Sequence, residues 1–161
     1  MSRMDATMPV RIRMTCEESR EHTRAKLLAS ARALFATEGF GGASVDGIAE
    51  EAGFTKGAFY SNFESKEDIV LDLLQGGRAD QAAHLAKRLR EKKSLESIIK
   101  TTCEWASEQS RDADNRLIVF ETIRRARLDK TFGPRHEKLF HAQWLAVGTL
   151  LAPIFAPGNH R

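Results

Sequence analysis

The 161-residue chain has few cysteines and no long apolar run, and each absence excludes a class of protein. The two cysteines, Cys16 and Cys103, lie far apart and lack the spacing of a metal site. No segment reaches the roughly 20 apolar residues of a membrane helix, and the first twenty residues lack the apolar stretch of a signal peptide. We therefore expect a reduced, cytoplasmic protein that does not associate with membranes.

Signals of catalysis are missing as well. The five histidines show no HExxH spacing, and no phosphate-binding glycine loop occurs. No Ser-His-Asp or Cys-His arrangement is visible. We expect no enzymatic activity, no metal site and no cofactor. Strand patterns are also absent, which favours an all-α fold.

Basic residues outnumber acidic residues only slightly. The net charge is +3 and the isoelectric point about 9.0, which is compatible with nucleic-acid binding but too mild to establish it. Residues 21–66 carry five basic and six acidic groups, a net of −1. If this segment binds DNA, its basic groups must therefore be segregated onto one surface.

The first predicted helix covers residues 23–38. Leu27, Ala31 and Phe35 fall on one face at helical spacing. Gly39 suits the left-handed position after a helix, and Phe40 can then fold back onto Phe35.

Two short helices on either side of a glycine turn follow in residues 44–66. Ser44 and Thr55 are predicted N-caps, and Gly53 is predicted to end the first of the two helices. Phe59 and Phe63 stand four residues apart and are expected to face inward. This is the pattern of a helix-turn-helix, which lays its second helix in the major groove of DNA.

A long helix is predicted from residue 66 to about residue 90, with an interruption at Gly76 and Gly77. The glycine pair predicts either a hinge or a site of close packing, and both interpretations stay open. Three more helices are predicted in the remainder. The expected organisation is a flexible tail at 1–20, a DNA-binding domain at 21–80 and a helical regulatory domain at 81–161.

The stretches VDGIAEEAG, FTKGAFYSNF and SKEDI together resemble the TetR family of transcriptional regulators. The resemblance is strong from about residue 20 to residue 74, and beyond residue 80 it is limited to an all-helical pattern. It implies an N-terminal three-helix DNA-binding domain followed by a helical ligand-binding and dimerisation domain.

The expected DNA contacts lie on the outer face of the third helix and at its borders. Phosphate contacts are expected from the hydroxyl groups and lysines, and base contacts chiefly from Ala58, Ser61 and Asn62. Gly57 and Ala58 allow close approach of the backbone. The full predicted set is Ser44, Thr55, Lys56, Gly57, Ala58, Tyr60, Ser61, Asn62 and Lys66.

The resemblance further implies that the later helices bind a small-molecule effector and pair two subunits on a near-palindromic operator. The candidate effector-binding residues are Cys103, Trp105, Phe120, Phe140 and Trp144. They are alternatively ordinary core residues. The expected function is a repressor that a small ligand releases from double-stranded DNA.

The chain ends soon after the seventh predicted helix, whereas typical family members continue with two helices that form the dimer interface. Either the sequence is a fragment, or a homodimer forms differently, for instance through Phe140, Trp144, Val147 and Leu151. The alternative function is a truncated interaction module that pairs with a full-length regulator without binding DNA tightly.

Overall fold

The computed structural model describes residues 15–152, and this part of the chain contains seven α-helices and no β-strand. They are α1 (Cys16–Gly42), α2 (Val45–Glu51), α3 (Lys56–Tyr60), α4 (Lys66–Leu89), α5 (Leu95–Gln109), α6 (Ala113–Leu128) and α7 (Phe132–Leu151). The prediction of an all-α fold is confirmed. None of these seven helices combines the length and the apolar character that a membrane crossing requires.

Helix α1 begins at Cys16, seven residues before the predicted start. Thr15 and Glu18 form a capping box, in which the Thr15 N–H donates to Glu18 Oε2 at 2.7 Å and the Glu18 N–H donates to Thr15 Oγ1 at 3.2 Å. The first turns are exposed, so no apolar periodicity marks them in the sequence. The expectation of a flexible tail is therefore wrong for residues 16–20, and residues 1–14 of that tail lie outside the described residues.

The end of α1 follows the prediction. Gly39 has a φ of 72°, which side chains with a Cβ rarely adopt, and it breaks the helical geometry before one further short turn. The ring of Phe40 folds back to 5.4 Å from that of Phe35, centroid to centroid. The turn thereby directs the chain from α1 into α2.

Helix α4 is continuous through Gly76 and Gly77, so the predicted interruption is wrong. A Cβ added to either glycine would meet no atom within 4 Å, which also excludes a close-packing role. Both positions are exposed, and the hydrogen bonds of the helix carry it past them. The hinge remains a prediction.

One apolar core joins the first four helices to α6 and α7. Ile118 of α6 and Phe132 of α7 belong to the same buried cluster as the residues of α1 to α4. The boundary predicted near residue 80 falls inside the continuous α4. The other large members of the cluster are Leu27, Phe35, Phe40, Ile48, Phe59, Phe63, Ile69 and Leu74.

Three ion pairs connect the same two regions at the surface. Each joins an arginine to a carboxylate near the beginning of a helix, where the helix dipole also stabilises a negative charge. They are Arg32 with Asp112 at 2.8 Å, Arg125 with Glu67 at 3.1 Å, and Arg135 with Asp68.

Candidate nucleic-acid interface

Helices α2 and α3 form a helix-turn-helix, and a side chain caps the N-terminus of each helix. Ser44 Oγ accepts the N–H of Gly47 at 2.9 Å, and Thr55 Oγ1 accepts the N–H of Ala58 at 3.3 Å. Between the helices, Gly53 adopts a φ of 77°, which a residue with a Cβ would reach only under strain. The predicted caps and turn are confirmed. Because caps and turn depend on local hydrogen bonds, they were predictable from the sequence.

The five-residue α3 is too short to be stable alone and is held by packing of its inner face. Phe59 is fully buried, and its ring lies 5.7 Å from that of Phe63, which is also buried. The opposite face is exposed, with Tyr60 52% accessible. Thr55, Lys56, Gly57 and Ser61 are also exposed, and Ser44 is exposed at the start of α2, whereas Ala58 is half-buried.

Arg24 of α1 holds the end of α3 and is absent from the predicted site residues. Its guanidinium donates to the carbonyl oxygen of Asn62 at 2.9 Å, pairs with Asp72 of α4 at 2.9 Å, and lies 4.2 Å from the centre of the Phe63 ring. The available signal was its place on the buried stripe of α1, one turn before Leu27. Arg24 is therefore a positioning residue for the exposed helix.

A buried hydroxyl fixes α2 in the same way. Ser30 of α1 donates from Oγ to the carbonyl oxygen of Ile48 at 2.8 Å, in a position sheltered from solvent. Ile48 and Ala49 are themselves buried against α1. Both helices of the helix-turn-helix are thus held on α1 through backbone oxygens as well as apolar contacts.

Lys56 lies at the beginning of α3 and contacts α2. Its ammonium donates to Asp46 Oδ2 at 2.9 Å, and both side chains are largely exposed. The hydrogen bond to Asp46, together with its negative charge, raises the pKa of Lys56. The contact holds the cation at the surface of α3, and an incoming phosphate would compete with Asp46 for it.

Asn62 does not point outward. Its Nδ2 donates to the carbonyl oxygen of Ala58 at 2.8 Å, and its Oδ1 is buried without a hydrogen-bond partner among the described residues. Ser61, by contrast, is exposed, and its hydroxyl donates to the carbonyl oxygen of Gly57 at 2.9 Å while its oxygen stays open to solvent. Of the two adjacent predicted base contacts, only Ser61 lies on the outer face.

Lys66 is directed into the protein rather than toward the outer face of α3. Its Nζ donates to the carbonyl oxygens of Phe40 at 2.6 Å and Ala43 at 2.7 Å, and it lies 4.5 Å from the centre of the Phe40 ring. Burial lowers the pKa of Lys66. A cation at the carboxyl end of a helix satisfies carbonyl groups that the helix leaves open. This contact accounts for the lysine without a phosphate.

The structure does not bring the predicted effector-binding residues into one cluster. Cys103 is exposed on α5, Phe120 is 70% exposed on α6 and Trp144 is 68% exposed on α7. Trp105 is half-buried, with its Nε1 buried and unpartnered among the described residues. Phe140 is half-buried beneath the guanidinium of Arg78, which lies 3.8 Å from the centre of its ring. Arg78 is absent from the predicted set.

The part of the chain that forms the helix-turn-helix is also the part that matches known protein families. The family model described as bacterial regulatory proteins, tetR family, matches residues 27–73, which span most of α1, the helix-turn-helix and the start of α4. The HTH-type transcriptional repressor KstR2 of Rhodococcus jostii (strain RHA1) is 34% identical over 85 residues. That match covers 50% of this chain and 42% of the repressor, so the chain spans about two fifths of that relative's length.

Solved structures resemble the fold over a longer stretch. A transcriptional regulator, SCO7518, from Streptomyces coelicolor A3(2) matches with a TM-score of 0.71 and 20% identity, covering 85% of this chain and 78% of the regulator. The transcriptional regulator FadR from Bacillus subtilis, solved in complex with stearoyl-CoA, matches with a TM-score of 0.70 and 16% identity, covering 85% and 73%. At these identities the likeness establishes the fold alone.

Proposed function

Because the chain belongs to the tetR family of bacterial regulatory proteins, we propose that it represses transcription by laying α3 in the major groove of an operator. The site of action is then the bacterial cytoplasm. A homodimer would place two copies of α3 on a near-palindromic site, with half-sites about 34–36 Å apart. A small-molecule effector bound by the later helices would release the DNA.

The observation that carries the proposal is the contrast between the two faces of α3. The inner face is fixed by Phe59 and Phe63, so the outer face is presented as a rigid surface. At its amino end Gly57 has no side chain, and a Cβ there would meet only Thr55 Oγ1, at 3.6 Å. The backbone at this end of α3 can therefore approach the bases closely.

The contacts divide into two kinds. Ser44, Thr55 and Tyr60 offer hydroxyl groups to phosphates, and their role is to set the register on the duplex. Lys56 offers its ammonium to a phosphate, Ser61 offers a donor and an acceptor to base edges, and Ala58 offers a methyl group to a thymine methyl. Asn62 can contribute only if it gives up its bond to the Ala58 carbonyl oxygen.

Electrostatic attraction to DNA should be modest in this protein. Of the basic groups in residues 21–66, Arg24 and Arg32 are paired with carboxylates and Lys66 with carbonyl oxygens. Lys56 is the basic group on the outer face of α3, and it shares Asp46. We expect the salt dependence of binding to be shallow, because it scales with the number of phosphates neutralised.

The test is selection of bound DNA from a random pool, followed by titration of the recovered sequence at several salt concentrations. Repression by a dimer predicts a palindromic consensus. Lys56→Ala should lower affinity and reduce the steepness of the salt dependence by roughly one phosphate per half-site, whereas Lys87→Ala on the far end of α4 should change neither. Failure to recover any preferred sequence, or equal behaviour of the two variants, would contradict the assignment of α3.

A second candidate function is an interaction module that pairs with a full-length regulator and binds DNA weakly. It is favoured by the apolar side chains that α6 and α7 expose, such as Leu128 at 73% and Trp144. Size-exclusion chromatography with light scattering distinguishes the two. A homodimer that binds the selected palindrome supports repression, and a monomer without DNA affinity that dimerises only with another regulator supports the module.

A further inference from the structure

Arg78 occupies an unusual position in the middle of α4. It directly follows Gly76 and Gly77, its side chain is partly buried, and its Nη1 is buried without a hydrogen-bond partner among the described residues. Among the carboxylates of α4, Asp72 pairs with Arg24 and Asp68 with Arg135, while Asp80 is exposed and forms no ion pair with Arg78. Arg78 is therefore a cation withdrawn from water without a matching anion in this part of the chain.

Arg78 stays charged despite its burial, and its neighbours do not compensate the charge. Burial lowers its pKa to about 10, so the guanidinium remains protonated at neutral pH. Beside it, His136 is only 6% exposed, and its Nε2 is buried without a partner among residues 15–152. Burial and then the charge of Arg78 lower the pKa of His136, which favours a neutral imidazole. No negative charge is supplied by these neighbours.

Arg78 lines a cavity between α4 and α7. The cavity has a volume of about 190 Å³, and its polar lining also includes Gln75 and Gln143. Through the shared residues Ala82, Ala142 and Ala146 it continues into a groove of about 580 Å³ between the same two helices. Small-molecule sites typically occupy about 300–1,000 Å³.

The groove differs in chemistry from the Arg78 end. Its walls are almost entirely apolar, and it is wide because alanines line both helices where larger side chains would meet. One end of the combined space therefore offers an unpaired cation with amide groups, and the other offers an apolar groove that is open to solvent. This is the complement of a molecule with an anionic head and an aliphatic chain.

We propose that the space between α4 and α7 binds an amphiphilic anion, with its head group on Arg78 and its aliphatic chain along the alanine-lined groove. A carboxylate or a phosphate would accept two parallel hydrogen bonds from the guanidinium. This inference names the chemical class of the effector and in that respect rests on the proposed function.

The position of the site connects it to the helix-turn-helix. From Arg78 a series of neighbouring, mutually tilted rings runs through Phe140, His136 and Phe132 to Phe40, with successive centroid distances of 4.5, 5.7 and 6.4 Å between the four rings. Phe40 lies at the end of α1. An anion that draws Arg78 toward the groove would therefore act on the core that supports α2 and α3.

The first experiment measures direct binding by calorimetry on the full chain without DNA. The probes are sodium decanoate, decyl phosphate and decanol, which share a chain length and differ in the head group. Decanoate or decyl phosphate should bind at least about tenfold more tightly than decanol, because only the anions pair with Arg78. Whichever anion binds more tightly identifies the head group. Decanol binding as tightly as both anions would overturn the proposal.

Variants separate the head group from the chain. Arg78→Gln should weaken anion binding by at least about tenfold and leave decanol unchanged, whereas Arg127→Gln, at an exposed end of α6, should leave both unchanged. Ala146→Leu, at an exposed position of the groove, should weaken all three probes. Thermal unfolding checks that each variant is folded.

Unchanged anion binding in Arg78→Gln would refute the site. If Arg78→Gln does not fold, Ala146→Leu tests the groove independently, and unchanged binding of all three probes would refute it.

Anion binding and DNA selection together distinguish the proposed effector site from the proposed repression. A protein that binds decanoate through Arg78 but selects no DNA sequence would retain the site and lose the proposed repression. A protein that selects a palindrome but binds neither anion would retain repression and lose the site. If both hold, addition of the anion to the DNA complex should release the operator from the wild type and not from Arg78→Gln.

Discussion

The two regions of the described chain bury their apolar side chains to different degrees. In the helix-turn-helix and the helices that carry it, Leu27, Ile48 and Phe59 are fully buried. In α5 and α6, Ile99, Leu117, Phe120 and Leu128 are half or more exposed, and Thr101 is the buried residue of α5. Apolar residues at helical spacing are therefore buried in the first region, whereas many of them are exposed in α5 and α6.

The difference follows from how the helices pack. Helix α2 packs on both α1 and α3, and α1 also packs on α4 and α6, so each apolar stripe meets another. Helix α5 packs chiefly on α4, which leaves much of its apolar face uncovered within residues 15–152. The apolar side chains of the first region are therefore buried by its own helices together with α6 and α7, whereas α5 and part of α6 keep apolar side chains exposed within residues 15–152.

The largest expected effect tests this contrast directly. Phe59→Ala should lower the free energy of unfolding by about 3–5 kcal/mol, because it leaves a cavity in the core, whereas Phe120→Ala should change it by less than about 0.5 kcal/mol. Urea denaturation followed by circular dichroism measures both. Equal losses would mean that Phe120 is buried in solution, for instance in a dimer.

A smaller effect distinguishes the two roles considered for Lys66. Lys66→Met should lower the free energy of unfolding by about 1–3 kcal/mol, because the carbonyl oxygens of Phe40 and Ala43 lose their donor. Lys87→Met is the matched exposed control. If Lys66→Met leaves stability unchanged and instead makes the salt dependence of DNA binding shallower, Lys66 contacts a phosphate as the sequence predicts.

Acidification should affect the buried imidazole before it affects the ion pairs. The pKa of His136 is lowered in the folded state, so the unfolded chain binds more protons just below its ordinary value of about 6.5. The free energy of unfolding should thus fall as the pH drops below that value. Asp68 and Asp112, whose pKa values are also lowered, add their loss only at more acidic pH. Thermal unfolding at several pH values should show the first decline in the wild type and not in His136→Phe.

The smallest effect concerns the glycines of α4. Gly76→Ala and Gly77→Ala should each stabilise the protein by about 0.5–1 kcal/mol, because the helix is continuous and a Cβ has open space at both positions. Gly53→Ala is the opposing control and should destabilise, since its φ is 77°. Thermal unfolding measures all three. A double alanine variant that no longer releases DNA with effector would support the hinge prediction.

Helix caps, turn glycines and the buried aromatic face of α3 were predictable from the sequence. Ser44, Thr55 and Ser65 each cap the third residue that follows them, and such contacts depend on only a few adjacent positions. The positive φ of Gly39 and the inward faces of Phe59 and Phe63 follow from the same short-range rules. These features also carry the family resemblance, which the matches to known proteins confirm.

Contacts between distant segments were not predictable in this way. Arg24 meets the carbonyl oxygen of Asn62 across 38 positions, and Lys66 meets that of Phe40 across 26. A flexible cation has several acceptors within reach, and packing of the helices selects among them. The orientation of Asn62 has a local origin instead, because its amide group donates to the carbonyl oxygen of Ala58, four residues earlier.

The sequence by itself determined the class of the protein, the corners of the helix-turn-helix and the aromatic inner face of α3. Each of these depends on periodicity, caps and turns within a few residues. Only the tertiary structure decided which polar groups remain open for a ligand. It turned Lys66 inward, left Lys56 and Ser61 outside, and partly buried Arg78 without an anion among residues 15–152, because these outcomes depend on which helices become neighbours.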